Sequence, residues 1–285
     1  MRILVLGGDG MLGHQLLKQL RSVHDVRVTL RRDLADYASF GLFNSTNSFA
    51  GLDVRSTEGL LAAFTGFRPQ AVVNAVGIVK QRAAAAEAIP SLETNALLPH
   101  RLAELCNAIG ARFIQISTDC VFSGRTGNYS ESSQPDPEDL YGRSKLLGEV
   151  VAPGCLTLRT SIIGRELARK TGLLEWFLAQ RGPVRGFTNA IFSGPTTLEL
   201  SRVIQRLLER FPGAHGLYHV STDPISKHDL LVLIRDLLGS KVEIIPDGAY
   251  HCDRSLDSRR FRSEFDYSPP GWPALIAELA ADLRS

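Results

Sequence analysis

The 285-residue chain predicts an α/β fold, a doubly wound parallel sheet with a smaller C-terminal α+β lobe, on three observations. Short apolar runs at residues 3–6, 26–30, 71–75, 113–116 and 156–158 alternate with helical patterns at 11–21, 57–64, 89–109 and 140–151. Runs this short and this apolar suit strands covered on both faces, and their alternation with helices calls for parallel pairing through crossovers. The first run passes directly into a glycine-rich turn that opens the first helix. Beyond about residue 160 the alternation loosens into helical patterns at 171–180, 196–209, 227–238 and 273–283, with strand-like pieces at 216–220 and 241–245. The expected division is therefore 1–160 and 161–285, and the absence of a low-complexity linker predicts that the lobes interweave.

Taken in order, the first strand ends in Gly7-x-x-Gly10-x-x-Gly13. The first glycine permits a tight turn, the second lets backbone approach a pyrophosphate, and the third allows close helix-strand packing. The helix starting at Met11 and Leu12 offers free N–H donors to phosphate. Strand, glycines and helix in this order form a dinucleotide-binding fingerprint, which makes the expected sheet Rossmann-type; a glycine turn that binds nothing is the alternative. The second strand runs into Arg31-Arg32, whose guanidinium groups suit a ribose 2′-phosphate and favour NADP(H) over NAD(H). Asp33 is the competing ribose ligand, and a solvated turn is the plain reading of both arginines. Asp53-Val54 fits an adenine contact, or Asp53 caps the next helix.

The third strand leads into Asn74-Ala75-Val76-Gly77 and then Lys80 and Gln81, and the fourth into Ser117-Thr118-Asp119. Ligands of such sheets bind at the carboxyl ends of the strands, so these segments and the glycine loop converge on one edge. The helix at 140–151 carries Tyr141 and Lys145, one turn apart on one face. An ammonium there favours the phenolate, and a phenol so tuned exchanges a proton with a carbonyl or alcohol oxygen. An exposed surface pair is the alternative. Asn95, on the helix before the fourth strand, supports either a proton relay or simply the packing of its helix. Asp136, Glu138 and Asp139 read as a solvated loop and the N-terminal charge of the helix bearing Tyr141.

A net charge of +2 with no basic run argues against nucleic acid. No apolar run approaches the ~20 residues a bilayer span requires. The scattered Cys106, Cys120, Cys155 and Cys252 have no metal-ligand spacing and fit a reduced, cytoplasmic protein. His215 and His219 flank a strand entry, so no metal site is expected there. The sequence admits a homodimer without requiring one.

These motifs together resemble the extended short-chain dehydrogenases/reductases, and within them the dTDP-4-dehydrorhamnose reductase family, over most of the chain. The resemblance rests on Gly7, Gly10 and Gly13, on Asn74 to Gly77, on Ser117-Thr118-Asp119-Cys120-Val121-Phe122, on Tyr141-Gly142-Arg143-Ser144-Lys145 with Gly148-Glu149, and on Leu158-Arg159-Thr160-Ser161. It implies that Tyr141 protonates a sugar ketone oxygen, that Lys145 favours the phenolate and holds the nicotinamide ribose, and that Thr118 meets the same ketone oxygen. It further implies a nucleotide-sugar substrate, with Arg254 of Arg254-Ser255-Leu256-Asp257 toward the diphosphate, and Lys80, Asp119 and Tyr141 toward sugar or phosphate.

Two departures fall where substrate is chosen: Cys120 replaces the family's Tyr, and Ile162-Ile163-Gly164 replaces an aromatic position. The stretch 186–196 reads as a substrate loop leading into a capped helix, and resembles reductases of UDP-linked N-acetylated sugars. The expected activity is NADPH-dependent reduction of a 4-keto-6-deoxy nucleotide sugar for cell-surface polysaccharide. The alternatives are an epimerase or dehydratase with tightly held NAD, and a non-catalytic NADP-binding regulatory subunit.

Overall fold

The computed structural model describes residues 1–79, 87–168 and 170–284, so Lys80 and Gln81 lie outside the described residues. The chain divides into two compact units. The first comprises Met1–Ser117, Asp139–Leu158 and Ser201–Leu217, and the second Thr118–Glu138, Arg159–Leu200 and Tyr218–Ser285.

In the first unit, β1 (Arg2–Leu6), β2 (Asp25–Thr29), β3 (Ser48–Phe49), β4 (Ala71–Asn74), β5 (Arg112–Ile116) and β6 (Cys155–Arg159) form a sheet with all their mutual pairings parallel. The order is β3-β2-β1-β4-β5-β6, extended beyond β6 by β9 (Gly216–His219). Strand order reverses between β1 and β4, the switch point at which such sheets bind ligands. Ile3, Leu4, Val5 and Leu6 are wholly buried, as expected of a strand covered on both faces. Helices α1 (Gly13–Leu20) and α2 (Thr57–Phe67) follow β1 and β3. Leu4, Leu6, Phe64, Val72, Leu98, Leu102 and Phe113 form one continuous core. Each such side chain contributes about 1.5–3 kcal/mol by leaving water.

The predicted helix at 89–109 is α3 (Ala88–Ser91), a π-helical segment (Leu92–Leu97) and α4 (Leu98–Ala108) in succession. Pro99 stands at the start of α4, where its missing N–H breaks the regular ladder, and the π segment lies immediately before it. The predicted helix at 140–151 stops early: α5 is Leu140–Leu147. Beyond Gly148 the backbone is taken up elsewhere, with Val150 N donating to Thr157 Oγ1 at 3.2 Å and Thr157 Oγ1 donating to Val150 O at 2.7 Å.

The second unit holds α6 (Leu173–Leu178), β7 (Val184–Phe187), β8 (Ala190–Phe192), β10 (Ile225–Ser226), α8 (Lys227–Leu238), β11 (Ile244–Asp247), β12 (Cys252–Asp253), α9 (Arg259–Glu264) and α10 (Trp272–Arg284). Helix α7 (Thr197–Arg210) begins in this unit and continues into the first. A three-stranded sheet runs β10-β8-β12, and β11 pairs with β7 in parallel. Phe177, Leu230, Ile234, Trp272, Leu275 and Leu279 form its core. Part of 186–196, read from sequence as a loop, is therefore strand: the stretch holds the end of β7 and all of β8, β8 is the centre of its sheet, and Ser193 O accepts from Thr222 N at 2.7 Å. The capped helix that follows is present, with Thr196 Oγ1 accepting from Glu199 N at 3.2 Å. Among the described residues no helix is long and apolar enough to cross a membrane.

Candidate active site

Gly7 turns the chain out of β1 at φ +85°, a conformation that disfavours any side chain. A β-carbon there would also meet Val76 Cγ2 at 3.0 Å, which shows how closely the loop after β4 lies against it. At Gly13 a β-carbon would lie 1.9 Å from Gly7 O, so only glycine lets α1 begin this near the turn. Two side chains unremarked in the sequence hold the loop: Thr29 Oγ1 accepts from Gly7 N at 3.0 Å, and His14 Nδ1 donates to Gly10 O at 2.8 Å. Met11 and Leu12 lead into α1 from this turn.

Arg31 and Arg32 stand exposed just after β2, at the carboxyl edge of the sheet. The Arg32 N–H donates to Tyr37 Oη at 3.3 Å, and Tyr37 Oη donates to Asp9 Oδ2 of the glycine loop at 3.5 Å. Tyr37 belongs to a 3-10 helix, Leu34–Phe40, that sequence periodicity did not reveal. Burial, then the nearby Asp9 charge, raises its phenol above the ordinary value.

Asp53 does not cap α2; Ser56 does, its Oγ accepting from Gly59 N at 3.2 Å. The Asp53 carboxylate instead accepts from the Arg55 guanidinium, 2.6 Å at the shorter contact, which holds its pKa down to about 2. Val54 is half-buried and packs against the core of the unit.

The loop after β4 is set by buried amides. Asn74 Nδ2 donates to Gln115 Oε1 at 2.8 Å, and Asn74 Oδ1 accepts from Val76 N at 3.2 Å. Ala75, Val76 and Gly77 follow, half-buried. Asn95, on the π segment, accepts from Ile78 N at 2.9 Å through Oδ1. Its Nδ2 donates to Ile78 O at 3.0 Å and to Ser144 Oγ at 3.1 Å. Asn95 therefore ties the β4 loop to α5. A buried amide with three such bonds is costly to remove, and π-helical turns are frequent at functional sites.

Helix α5 is capped by Asp139, whose Oδ1 accepts from Gly142 N at 2.8 Å. It carries Tyr141, half-buried, and Lys145, 5% exposed, one turn apart. Lys145 Nζ donates to Ile116 O, the carbonyl ending β5, at 2.5 Å. Burial pulls the Lys145 pKa down to about 8, against an upward pull from the Glu149 carboxylate. Neither Ser117 nor Glu149 carries a role in the sequence reading, yet Ser117 Oγ donates to Glu149 Oε1 at 2.6 Å.

In the second unit, Thr118 opens a single 3-10 turn, Asp119–Val121, its Oγ1 accepting from Cys120 N at 3.1 Å and donating to Asp119 Oδ1 at 3.2 Å. Arg254 reaches the same turn: its Nε donates to Phe122 O at 2.8 Å and its Nη1 approaches Cys120 Sγ at 3.8 Å. Burial raises the Asp119 pKa while the Arg254 charge opposes it. Burial likewise pushes the Cys120 thiol up to about 12, so it is no thiolate. Ile163 is a buried core residue of this unit, which accounts for an aliphatic side chain at that position.

His219 is wholly buried, its Nδ1 donating to Tyr129 O at 2.9 Å. Among the described residues no three His, Cys, Asp or Glu side chains group to hold a metal.

A dTDP-4-dehydrorhamnose reductase of Salmonella typhimurium is 25% identical over 309 residues, covering 99% of this chain and 98% of that one. The crystal structure of a Clostridium acetobutylicum dTDP-4-dehydrorhamnose reductase superposes with a TM-score of 0.81 at 21% identity, covering 100% of both chains. That of the Bacillus anthracis dTDP-4-dehydrorhamnose reductase in complex with NADP gives 0.79 at 21% identity over 99% of each. The family model described as RmlD substrate binding domain matches residues 1–285, and the chain belongs to that family.

Proposed function

We propose that this chain is an NADPH-dependent reductase of a 4-keto-6-deoxy nucleotide sugar, dTDP- or UDP-linked and N-acetylated in the UDP case, serving cell-surface polysaccharide synthesis in a reducing, cytoplasmic compartment. The observation that carries the reading is the pairing of Tyr141 and Lys145 on α5, with Lys145 anchored to the carboxyl end of β5. The glycine loop lies at the carboxyl end of β1 in the same parallel sheet.

The residues present fit a dinucleotide. Glycine at positions 7 and 13, where a β-carbon would press on Val76 or collide with Gly7 O, lets the turn and α1 close together, and α1 starts where its N–H groups would serve a pyrophosphate. Arg31 and Arg32 would hold a 2′-phosphate, with Asp53, Val54 and Asn74 to Gly77 around the rest of the nucleotide. When bound, the nicotinamide supplies a hydride to the carbonyl carbon.

The protein's own part is proton delivery and orientation. Tyr141 gives its phenolic proton to the oxygen that gains charge as the carbonyl is reduced. Lys145, held on Ile116 O, presents a positive charge that stabilises the phenolate left behind. Thr118 hydrogen-bonds the same oxygen. Arg254 and Asp119 serve the diphosphate and sugar, a role that falls outside the described residues for Lys80.

The test is a panel of dTDP- and UDP-linked 4-keto-6-deoxy sugars mixed with the protein and NADPH. One or more sugars should be reduced with loss of one NADPH per molecule. Interconversion of epimers without net NADPH loss would favour the NAD-retaining alternative, and NADPH binding with no turnover of any sugar would favour a regulatory subunit.

A further inference from the structure

Lys145 and Glu149 grip consecutive residues at the end of β5. Lys145 Nζ donates to Ile116 O at 2.5 Å, and Glu149 Oε1 accepts from Ser117 Oγ at 2.6 Å. Ser117 is 4% exposed, so its hydroxyl is fixed by burial as well as by this bond. Glu149 lies four residues beyond Lys145, just past the Gly148 cap, and its half-buried side chain reaches back to the residue that follows β5.

We infer that Glu149, held by Ser117, is a positioning residue: it fixes α5 on the end of β5 and keeps the Lys145 amine protonated beside Tyr141. The inference rests on the reductase reading for its consequence in catalysis but not for the electrostatics. A buried ammonium is expensive unless a negative charge faces it. A carboxylate anchored by a neighbouring hydroxyl supplies that charge without freedom to swing away, and the upward pull of Glu149 on Lys145 agrees.

Two titratable groups on the elements that precede α5 have partners of their own. On the π segment Glu93 Oε2 faces Arg55 Nη1 at 3.6 Å, and on α4 His100 Nε2 donates to Leu147 O at 2.8 Å. Tyr141 and the exposed Arg143 complete the set on α5 itself, while Asp139 is committed to the cap. Glu149 is left as the carboxylate coupled to Lys145.

Glu149→Gln keeps an acceptor for Ser117 Oγ and removes only the charge, so it separates anchoring from electrostatics. The experiment titrates the ¹³Cε resonance of Lys145 in lysine-labelled whole protein, identified by its loss in Lys145→Met. In Glu149→Gln the midpoint should fall by on the order of one unit below that of the unaltered protein. The alkaline limb of kcat should fall with it while KM for the sugar holds. Ser117→Ala should move the midpoint the same way by less, and it carries the test if Glu149→Gln does not fold. Glu149→Asp should recover part of the shift. An unchanged midpoint in the folded variants would overturn the inference and leave Glu149 a structural peg. A shifted midpoint in a protein that reduces no sugar would uphold it while removing the reductase reading.

Discussion

Lys145 Nζ donates to the main-chain oxygen of Ile116 at 2.5 Å, so the amine at the heart of the proposed chemistry is fastened to the carboxyl edge of the sheet rather than left on a mobile side chain. A long lysine has several rotatable bonds, and holding its head group removes most of that freedom before any ligand arrives.

The first consequence is a pH limit. With burial pulling Lys145 to about 8, the amine carries its charge below that pH and loses it as pH rises through it. The kcat/KM of the free enzyme should therefore decline above about pH 8, because a neutral amine no longer supports the Tyr141 phenolate. Lys145→Met should lower kcat/KM by about 10²-fold and abolish that limb. A steady-state pH profile of both proteins checks this.

Gly13→Ala places a β-carbon where Gly7 O already lies, 1.9 Å away. Either α1 or the turn must move, and the N–H groups presented to a pyrophosphate move with it. NADPH affinity should fall by about tenfold or more, in line with the loss of one or two charge-assisted hydrogen bonds. Calorimetric titration of NADPH into the folded variant measures it.

Arg31→Ala separates the two cofactors. If the guanidinium meets a 2′-phosphate, NADPH binding should weaken by about 10–100-fold while NADH binding barely changes. Equal losses for both would move the discrimination to Arg32 or to the competing Asp33.

His219 gives the second unit its own pH dependence. Burial, then the charge of Arg159, holds its pKa down to about 4 from an ordinary 6.5. The unfolded chain thus takes a proton between those values while the folded one refuses it. The stabilising contribution is whole above about pH 6.5 and is lost as pH falls toward 4, up to about 3 kcal/mol across the window. Urea melts from pH 4 to 7.5 should show the slope, and His219→Asn should flatten it.

The parts of the molecule legible in the sequence are those with local signatures. The run Ile3 to Leu6 entering Gly7-x-x-Gly10-x-x-Gly13 needs no distant contact to be read, and Tyr141 and Lys145 share a helix face by spacing alone. The two-residue strands β3, β10 and β12 are too short to carry a period, and sheet pairing defines them instead. Helix α5 stopped at Leu147 because Thr157, on β6, captures Val150, a contact no local pattern contains. Asn95 was visible as a candidate, but its link to Ile78 and Ser144 depends on the loop after β4 and the helix α5 coming together. Arg254 meets Phe122 and Cys120 across 130 and more residues, a distance at which a sequence motif suggests the partner only by resemblance.

The most direct measurement is single-turnover reduction of the keto sugar that the panel identifies, with the unaltered protein and Tyr141→Phe compared at saturating NADPH. The phenylalanine keeps the ring and loses only the hydroxyl, so the rate should fall by about 10²-fold or more, with NADPH affinity nearly unchanged. A Tyr141→Phe protein that reduced the sugar at the original rate would show that the proton comes from elsewhere.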